Sequence, residues 1–292
     1  MIPRQSRSSI RRRLPLLAGQ ALMLLLAAGF IAPILIMVVG AGKPSSQVFG
    51  AGWRSFDPQG FPWLRKNLEA AWTGSANLSF PSAMLNSLII SSSIVVFGLG
   101  VNSLAGYALA RIRFRGRRIV LAVVIALVIV PFESIALPLL VMLAQPVAGH
   151  RLTDSLLAQV LPFVAQPLYI YLFYSFFKGI PLEFEEAAQL DGAGVLRTFV
   201  SVIVPLAGPA YASSAILTFL YSWGQFLWPV MVTAASPDLQ PLPLGLLNYV
   251  GTTPNWGGFY AYATLMVIPV VLVFLLFQRW FVQGVASTGI KG

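Results

Sequence analysis

The sequence predicts an all-α, polytopic membrane protein with six transmembrane helices and both termini in the cytoplasm. Of its 292 residues, 57% are hydrophobic and only 10% are charged, whereas soluble domains carry about 25% charged residues. Six apolar runs are each long enough to cross about 30 Å of hydrocarbon at about 1.5 Å per residue. The basic residues are concentrated between alternate runs, and this asymmetry indicates the orientation.

The six apolar runs define the expected helices in chain order. They lie at about 17–40, 83–108, 119–143, 155–177, 208–233 and 260–281. We expect a single membrane domain over 1–292, with a cytoplasmic tail at 1–16 and no soluble domain. The basic start resembles a signal peptide, but the run that follows exceeds roughly 7–15 apolar residues and no A-x-A site comes after it. We therefore expect a retained first helix.

The distribution of Lys and Arg predicts the sidedness of the connections. Fourteen of the 19 basic residues lie in segments that are cytoplasmic if the N-terminus is inside, and five lie in the segments on the other side. Cytoplasmic loops carry such an excess of Lys and Arg. The net charge of +10 therefore reflects orientation, and no nucleic-acid partner is expected.

The residue types exclude several kinds of chemistry. The chain has no cysteine, so disulfides, thiol catalysis and Cys-ligated metals are excluded. Its single histidine, His150, cannot form a His-rich metal site and is read as a loop residue. No Walker A pattern, nucleophile elbow or metal-ligating helix is found in the sequence. We expect no catalytic residue, no metal and no cofactor in this chain.

The connection at 179–206 gathers four of the nine acidic residues within nine positions, from Glu183 to Asp191. Pro181 suits the first position of a short helix. Glutamates at 183, 185 and 186 would then lie in the first turns, where the helix dipole favours negative charge. Stabilisation of a short surface helix is the simpler interpretation of these acids.

A second short helix is expected after the Asp191-Gly192 pair. Glycine readily adopts the left-handed conformation that ends helices, and Asp191 can cap the helix that follows. That helix, "VLRTFVSVIV", would run to Pro205. Two short helices set at an angle would expose the apolar residues Phe184, Leu190, Leu196 and Phe199 in a cytoplasmic loop. This pattern is typical of a docking element for another protein.

The same stretch resembles the EAA motif of ABC-importer permeases. The usual pattern is Glu-Ala-Ala, three residues, Gly, nine residues and Ile-x-Leu-Pro. The chain has Glu186-Ala187-Ala188, then Gly192, and then the segment Val202-Ile203-Val204-Pro205. In this segment Val202 stands in place of the usual Ile, and Val204 stands in place of the usual Leu. The "LDGA" form of the motif is typical of permeases that import sugars.

Other segments extend the resemblance to about residues 10–292. They include "NSLIISSS", "LAGYALARIRFRGRR", "VPFESIALPL", "SWGQFLWP" and the terminal "GIKG". The six-span form is most similar to the MalG-like subunit of a carbohydrate importer, with a MetI/MalG-like permease core. The chain departs from relatives in the fifth run, where the usual Trp-Asn-(acid or similar)-Phe-x-x-Pro is replaced by a segment that begins Trp223-Gly224-Gln225-Phe226.

The resemblance implies a set of partners and a coupling element. It implies a second, MalF-like permease, an ABC ATPase dimer that carries the ATP and Mg, and an extracytoplasmic solute-binding protein. It also implies a multi-pass protein among the lipids of a bacterial plasma (inner) membrane, importing a di- or oligosaccharide or a glycoside. The residues expected to couple the chain to the ATPase are Glu185, Glu186, Ala187, Ala188, Asp191, Gly192 and Pro205.

Four residues are candidates for the substrate path. Glu133 is the one full charge well inside a predicted span, about 22 Å from its cytoplasmic end at 1.5 Å per residue, and such charges usually face a cavity or the bundle. Pro131 and Pro138 beside it predict a kinked or broken helix. Trp223, Gln225 and Trp228 offer aromatic and amide groups that suit sugar rings and hydroxyls. A structural hydrogen bond for Glu133, and packing for the tryptophans, are the alternatives.

Three other functions compete with a sugar permease. An ABC permease for a non-sugar solute has the same architecture. A secondary transporter driven by an ion gradient needs coupled ionisable residues within the membrane, and one glutamate gives it little support. An integral-membrane enzyme needs a cluster of histidines or acids near one interface, and the sequence has none.

Overall fold

The all-α prediction is confirmed by the computed structural model, which describes residues 6–49, 60–74, 78–146 and 152–289. No strand is formed among these residues. The α-helices of the described residues, in chain order, are α1 (Ser6–Ala41), α2 (Gly60–Thr73), α3 (Phe80–Arg111), α4 (Arg117–Val128), α5 (Phe132–Ala144), α6 (Leu156–Val160), α7 (Pro167–Gly179) and α8 (Glu183–Leu190). They are followed by α9 (Val195–Thr198), α10 (Val204–Leu206), α11 (Gly208–Trp223), α12 (Leu227–Val232), α13 (Leu242–Gly245) and α14 (Trp256–Gly289).

Short 3-10 and π segments fill some of the connections between these helices. The 3-10 segments are Ser45–Gln47, Leu161–Phe163, Pro237–Leu239 and Leu246–Tyr249. A π turn, Phe199–Ile203, separates α9 from α10.

Three of the six expected spans are continuous helices. The segments Gly19–Ala41, Phe80–Arg111 and Trp256–Phe277 are each long and apolar enough to cross a membrane. Three bent helix pairs also qualify, which gives up to six spans if each pair counts as one. The expected tail at 1–16 is partly helical, because α1 already begins at Ser6, while residues 1–5 lie outside the described part.

The third expected span is broken where prolines predicted a kink. The axes of α4 and α5 differ by 104°. Pro131 stands immediately before α5 in an extended conformation. Because proline has no N–H to donate and its ring clashes with the carbonyl four residues earlier, a regular helix is disfavoured at this position. The fourth expected span is bent by 43° between Leu156–Phe163 and Pro167–Gly179.

The apolar run at 208–233 is not one continuous helix. The structure ends α11 at Trp223 and begins α12 at Leu227. Pro229 explains the break, since a continuous helix would need its missing N–H to bond Gln225, whereas proline is tolerated in the first turn of a new helix. A 79° bend also separates the segment Val195–Leu206 from α11.

The larger of two compact units comprises residues 74–248 and 266–292. Its helix α3 packs closely on α7 at Gly106, which has no side chain. A Cβ at this position would lie only 2.6 Å from the Cβ of Phe173 and 2.9 Å from the backbone nitrogen of Tyr174. Small residues allow such close approach between membrane helices. A buried aromatic cluster that includes Tyr107, Phe177 and Phe199 continues this contact toward the π turn.

The smaller unit comprises residues 1–73 and 249–265. Buried Asn67 of α2 donates its amide to the carbonyls of Ala41, at 2.8 Å, and Lys43, at 2.9 Å, so it fixes the end of α1. Gly257 packs so closely against Asn67 that a Cβ on Gly257 would lie only 2.5 Å from the amide nitrogen of Asn67. The expectation of a single domain over 1–292 stays a prediction.

The orientation can be tested by adding single cysteines to this cysteine-free chain. Gln47, Gln189 and Thr252 are exposed, so substitution at each should be tolerated. If both termini are cytoplasmic, an impermeant thiol reagent applied to intact cells should label Gln47→Cys and Thr252→Cys but spare Gln189→Cys. Labelling of Gln189→Cys before lysis would contradict the predicted topology.

Candidate functional site

The acidic connection folds as two helices joined by a left-handed glycine, as predicted. After α8, Gly192 has a φ of +78°. The N–H of Gly192 donates to Gln189 O and the N–H of Ala193 donates to Ala188 O, each at 2.9 Å. This pair of bonds is the Schellman arrangement that satisfies carbonyls at a helix end. Gly192 therefore sets the direction in which the chain leaves α8.

Two details of the expected capping are wrong. Pro181 does not occupy the first helical position, because α8 begins two residues later at Glu183. Asp191 is the C-cap of α8 and does not cap the next helix, whose N-cap is Gly194. The glutamates do lie in the first turn of α8, where the helix dipole favours their charge.

A π turn lies between Phe199 and Ile203 in the second helix of the loop. There the N–H of Val204 donates to the carbonyl of Phe199, five residues earlier. Pro205 follows immediately, and its ring would crowd the carbonyl of Ser201 in a regular α-helix. The wider turn relieves this contact, so the helical path continues through Pro205 to Leu206.

Glu185 is buried and faces its own chain, with 6% of its surface exposed. One carboxylate oxygen lies 2.6 Å from Nε of Arg111 at the end of α3. Because that N–H is not aligned with the oxygen, charge attraction is the main component of the pair. The other oxygen accepts a hydrogen bond from the Tyr107 hydroxyl at 3.2 Å. A guanidinium nitrogen of Arg111 also donates to the carbonyl of Ile180, just before α8.

The Arg111–Glu185 pair was missed by sequence reasoning, which placed Glu185 with the docking residues. A signal for it exists in the chain. Tyr107 and Arg111 are four residues apart and therefore share one face of α3. A polar pair at the end of an otherwise apolar helix needs a partner when it is buried. What could not be predicted is which of three nearby glutamates is that partner.

The outer face of the loop is both apolar and acidic. Glu186, Ala187, Asp191 and Pro205 are exposed, whereas Ala188 is buried. Leu190 is 90% exposed. The other large apolar side chains exposed around the two helices are Leu182, Phe184, Val195, Leu196 and Val200. The expectation that Phe199 is exposed with them is wrong, because its ring packs in the buried aromatic cluster. Burial of such a patch against another surface is favourable in proportion to its apolar area.

Two of the four path candidates lie near each other in the structure. Gln225, in the break between α11 and α12, lies close enough to Tyr221 for the two side chains to interact. Glu133, in the first turn of α5, is exposed and lies close enough to Tyr221 for its charge to act on the tyrosine hydroxyl. Polar groups therefore gather where two helices are interrupted. Tyr221 was not predicted, because a tyrosine in an apolar run carries no distinguishing pattern.

The other two candidates, both tryptophans, are buried in packing positions. Trp228 is fully buried, and its indole N–H donates to the carbonyl of Ala158 at 2.8 Å. Its ring meets Phe132 edge to face, with centroids 5.5 Å apart. The indole N–H of Trp223 donates to the carbonyl of Met266 at 3.3 Å. Their polar groups are thus engaged within the chain in this conformation.

The comparison with protein families matches residues 102–287 to the binding-protein-dependent transport system inner membrane component. This match covers the loop over 183–206, the breaks that separate α4 from α5 and α11 from α12, and the Arg111–Glu185 pair. The chain belongs to this family. It is therefore a non-catalytic permease component of an ABC importer, as the EAA motif predicted.

Two curated relatives extend the likeness over nearly the whole permease. This chain is 32% identical over 269 residues to the arabinooligosaccharides transport system permease protein AraQ of Halalkalibacterium halodurans. The alignment covers 89% of this chain and 91% of the relative. It is 30% identical over 262 residues to the sn-glycerol-3-phosphate transport system permease protein UgpE of Yersinia pestis, covering 88% and 90%.

Solved structures confirm the fold of the permease. A chain of a bacterial ABC transporter involved in the import of the acidic polysaccharide alginate superposes with a TM-score of 0.75 at 21% identity, covering 96% of this chain and all of that one. A chain of the MetNI methionine ABC transporter gives 0.54 at 20% identity, covering 68% and 92%. The expected MetI/MalG-like core is thus confirmed.

Removing one member of the buried pair should destabilise the permease. Glu185→Ala leaves the Arg111 guanidinium buried without its counter-charge, which typically costs about 3–5 kcal/mol. We expect a lower midpoint of thermal unfolding for the detergent-purified chain and faster proteolysis of the loop. Glu183→Ala removes an exposed carboxylate from the same helix and is the matched control. Equal unfolding midpoints for the two variants would contradict a structural role for the pair.

Glu133 should affect transport more than stability, because it is exposed and its charge acts on Tyr221. A hydrogen bond to a charged group contributes about 1.5–3 kcal/mol, so Glu133→Gln should reduce substrate uptake about tenfold with normal assembly. Ser134→Ala, at the exposed neighbouring position, is the control. Loss of assembly in Glu133→Ala but normal uptake in Glu133→Gln would indicate a structural role instead.

Proposed function

We propose that this permease pairs with a second, related permease to form the path for a sugar delivered by a solute-binding protein. A separate ATPase dimer, which holds the ATP and Mg, would drive the transport across a bacterial inner membrane. The observation that carries the proposal is the loop over 183–206. It matches the EAA motif, and it presents an acidic and apolar face while its buried face is fastened to α3 and α7.

The loop suits the task of passing movement from an ATPase to the spans. Glu186 and Ala187 are exposed for contact with a partner, while Glu185 ties α8 to Arg111 of α3. Phe199 and Ile203 of the second helix pack in the aromatic cluster of α3 and α7. A displacement of the loop would therefore be transmitted to two spans by contacts that do not need to break. Such rigid-body movement of packed elements is a common form of transport switching.

Glu186 and Asp191 are the residues we assign to charge recognition. Both are exposed, and within the described part of the chain neither has an ion pair like that of Glu185. Their negative charge would face basic residues of the ATPase groove, which speeds association and selects the partner. Ala188 is buried and acts in packing, and Pro205 in shaping the second helix.

A carbohydrate is the substrate class that the observations favour. The "LDGA" form of the motif, a relative that transports arabinooligosaccharides and a fold shared with an alginate importer support it. Glu133, Tyr221 and Gln225 bring carboxylate, phenol and amide groups together, and all three can hydrogen-bond sugar hydroxyls. We assign the path to these residues, with Trp223 and Trp228 supporting the helices around it.

A polar non-sugar solute is the second candidate. One relative is named for sn-glycerol-3-phosphate, which shares hydroxyl groups with sugars but carries an anionic phosphate. The exposed Glu133 disfavours an anion close to it, because like charges repel. Thermal-shift screening of the cognate solute-binding protein against sugars and glycerol phosphates would distinguish the two classes.

Gly192 should be required for coupling because of its backbone conformation alone. A Cβ at Gly192 would meet no atom within 4 Å, yet its φ is +78°. A non-glycine residue in this conformation costs about 1–2 kcal/mol. Gly192→Ala should therefore leave the permease inserted and paired but reduce substrate-stimulated ATPase activity and uptake in proteoliposomes that contain the complete transporter.

Gly194→Ala is a closely matched control for that experiment. Gly194 also has open space at its Cβ position, and its φ is −74°, which any residue adopts. Glu186→Lys should uncouple like Gly192→Ala, by placing positive charge against a basic groove. Normal ATPase stimulation in both Gly192→Ala and Glu186→Lys would refute the assignment of this loop as the coupling element.

A further inference from the structure

A cavity of about 640 Å³ lies between the turn that joins α3 to α4 and the end of α7. Four basic side chains line it, namely Arg113, Arg117, Arg118 and Lys178, and Tyr174 adds a hydroxyl. Among the described residues that line the cavity, none is acidic. The positive charges therefore come together on one concave surface, to which both the α3–α4 turn and α7 contribute.

The turn brings these cations together, and two of them are held by contacts within the chain. Gly116, with a φ of +86°, forms the turn, so that α4 begins directly with Arg117 and Arg118. The Arg117 guanidinium donates to the carbonyl of Ala110 at 3.0 Å and so ties the turn to the end of α3. The Lys178 ammonium lies 5.8 Å from the centre of the Tyr174 ring, within the range of a cation–π interaction.

The wall of the cavity changes from basic to apolar along α4. Phe114, Ile119 and Leu121 also line it. Val120 and Val123 of α4 are exposed as well, and α4 is one half of a bent pair apolar enough to cross a membrane. A ligand that fills this surface must therefore carry negative charge at one end and hydrocarbon at the other.

We propose that this cavity binds the phosphate headgroup of an anionic phospholipid from the cytoplasmic leaflet. The phosphate would accept hydrogen bonds from the arginines and from Lys178, as guanidinium and ammonium groups donate readily to phosphate oxygens. The acyl chains would lie along the apolar face of α4. Basic pockets between membrane helices on the cytoplasmic side are suited to such headgroups, and the distribution of basic residues assigns this turn to that side.

The charge of the ligand decides between lipid classes. Four neighbouring cations repel one another, and a headgroup with net negative charge compensates them, whereas a zwitterionic headgroup brings its own cation. The site should therefore prefer phosphatidylglycerol to phosphatidylcholine, although both carry a phosphate. Free phosphate satisfies the charge but leaves the apolar wall uncovered, so it should bind more weakly than the lipid.

The preference can be measured by native mass spectrometry of the full chain, released from micelles that contain phosphatidylglycerol or phosphatidylcholine. Arg118→Gln should weaken phosphatidylglycerol binding about fivefold, and the triple variant Arg113→Gln, Arg118→Gln, Lys178→Gln on the order of a hundredfold. Arg115→Gln is the matched control, because Arg115 lies in the same turn, is exposed and does not line the cavity. It should leave lipid binding unchanged.

Three results would overturn the proposal. The first is equal retention of phosphatidylglycerol by the native chain and the triple variant. The second is an equal loss in Arg115→Gln and Arg118→Gln, which would indicate attraction by the loop as a whole. The third is displacement of the lipid by millimolar inorganic phosphate, which would identify a site for the free anion. Unchanged thermal unfolding of the variants without added lipid would show that each is folded.

Discussion

The contact between Arg111 and Glu185 is the constraint on which the arrangement of the loop depends. It joins the last residue of α3 to the first turn of α8, so the loop cannot move independently of that span. Burying two charges is expensive unless they compensate each other and their remaining groups are hydrogen-bonded. Tyr107 and the carbonyl of Ile180 supply those bonds. The pair thus fixes which face of α8 is turned inward, and thereby which glutamate is presented outward.

Prolines and glycines determine where the membrane helices are interrupted, and the interruptions hold the polar groups. Pro131 separates α4 from α5, and Pro229 forces a new helix to begin at Leu227. Glu133 and Gln225 lie within a few residues of these breaks, close to Tyr221. At a helix break, backbone groups that lack an internal partner need other polar groups or water. A polar path for a solute is therefore most easily formed there.

The sequence predicts the helical class, the approximate spans, the left-handed glycine and the family, because each depends on local pattern or on a contiguous motif. Span 119–143 is predicted with its kink, since proline acts within four residues. The environments of Glu185, Tyr221 and Trp228 could not be predicted in this way. Each is determined by residues far along the chain, such as Arg111 for Glu185 and Ala158 for Trp228. Burial and pairing of that kind arise only from tertiary packing.

The π turn at Phe199–Ile203 has a consequence for the phase of the second loop helix. Each residue of an α-helix advances by about 100° around the axis. The hydrogen bond from Val204 to Phe199 spans one residue more than an α-helical bond. The extra residue rotates the side chains before the turn, including Leu196, by about 100° around the helix axis relative to the side chains of α10. The one extra residue in the π turn thus determines which side chains of the second loop helix face a partner, without any change in the membrane spans that follow.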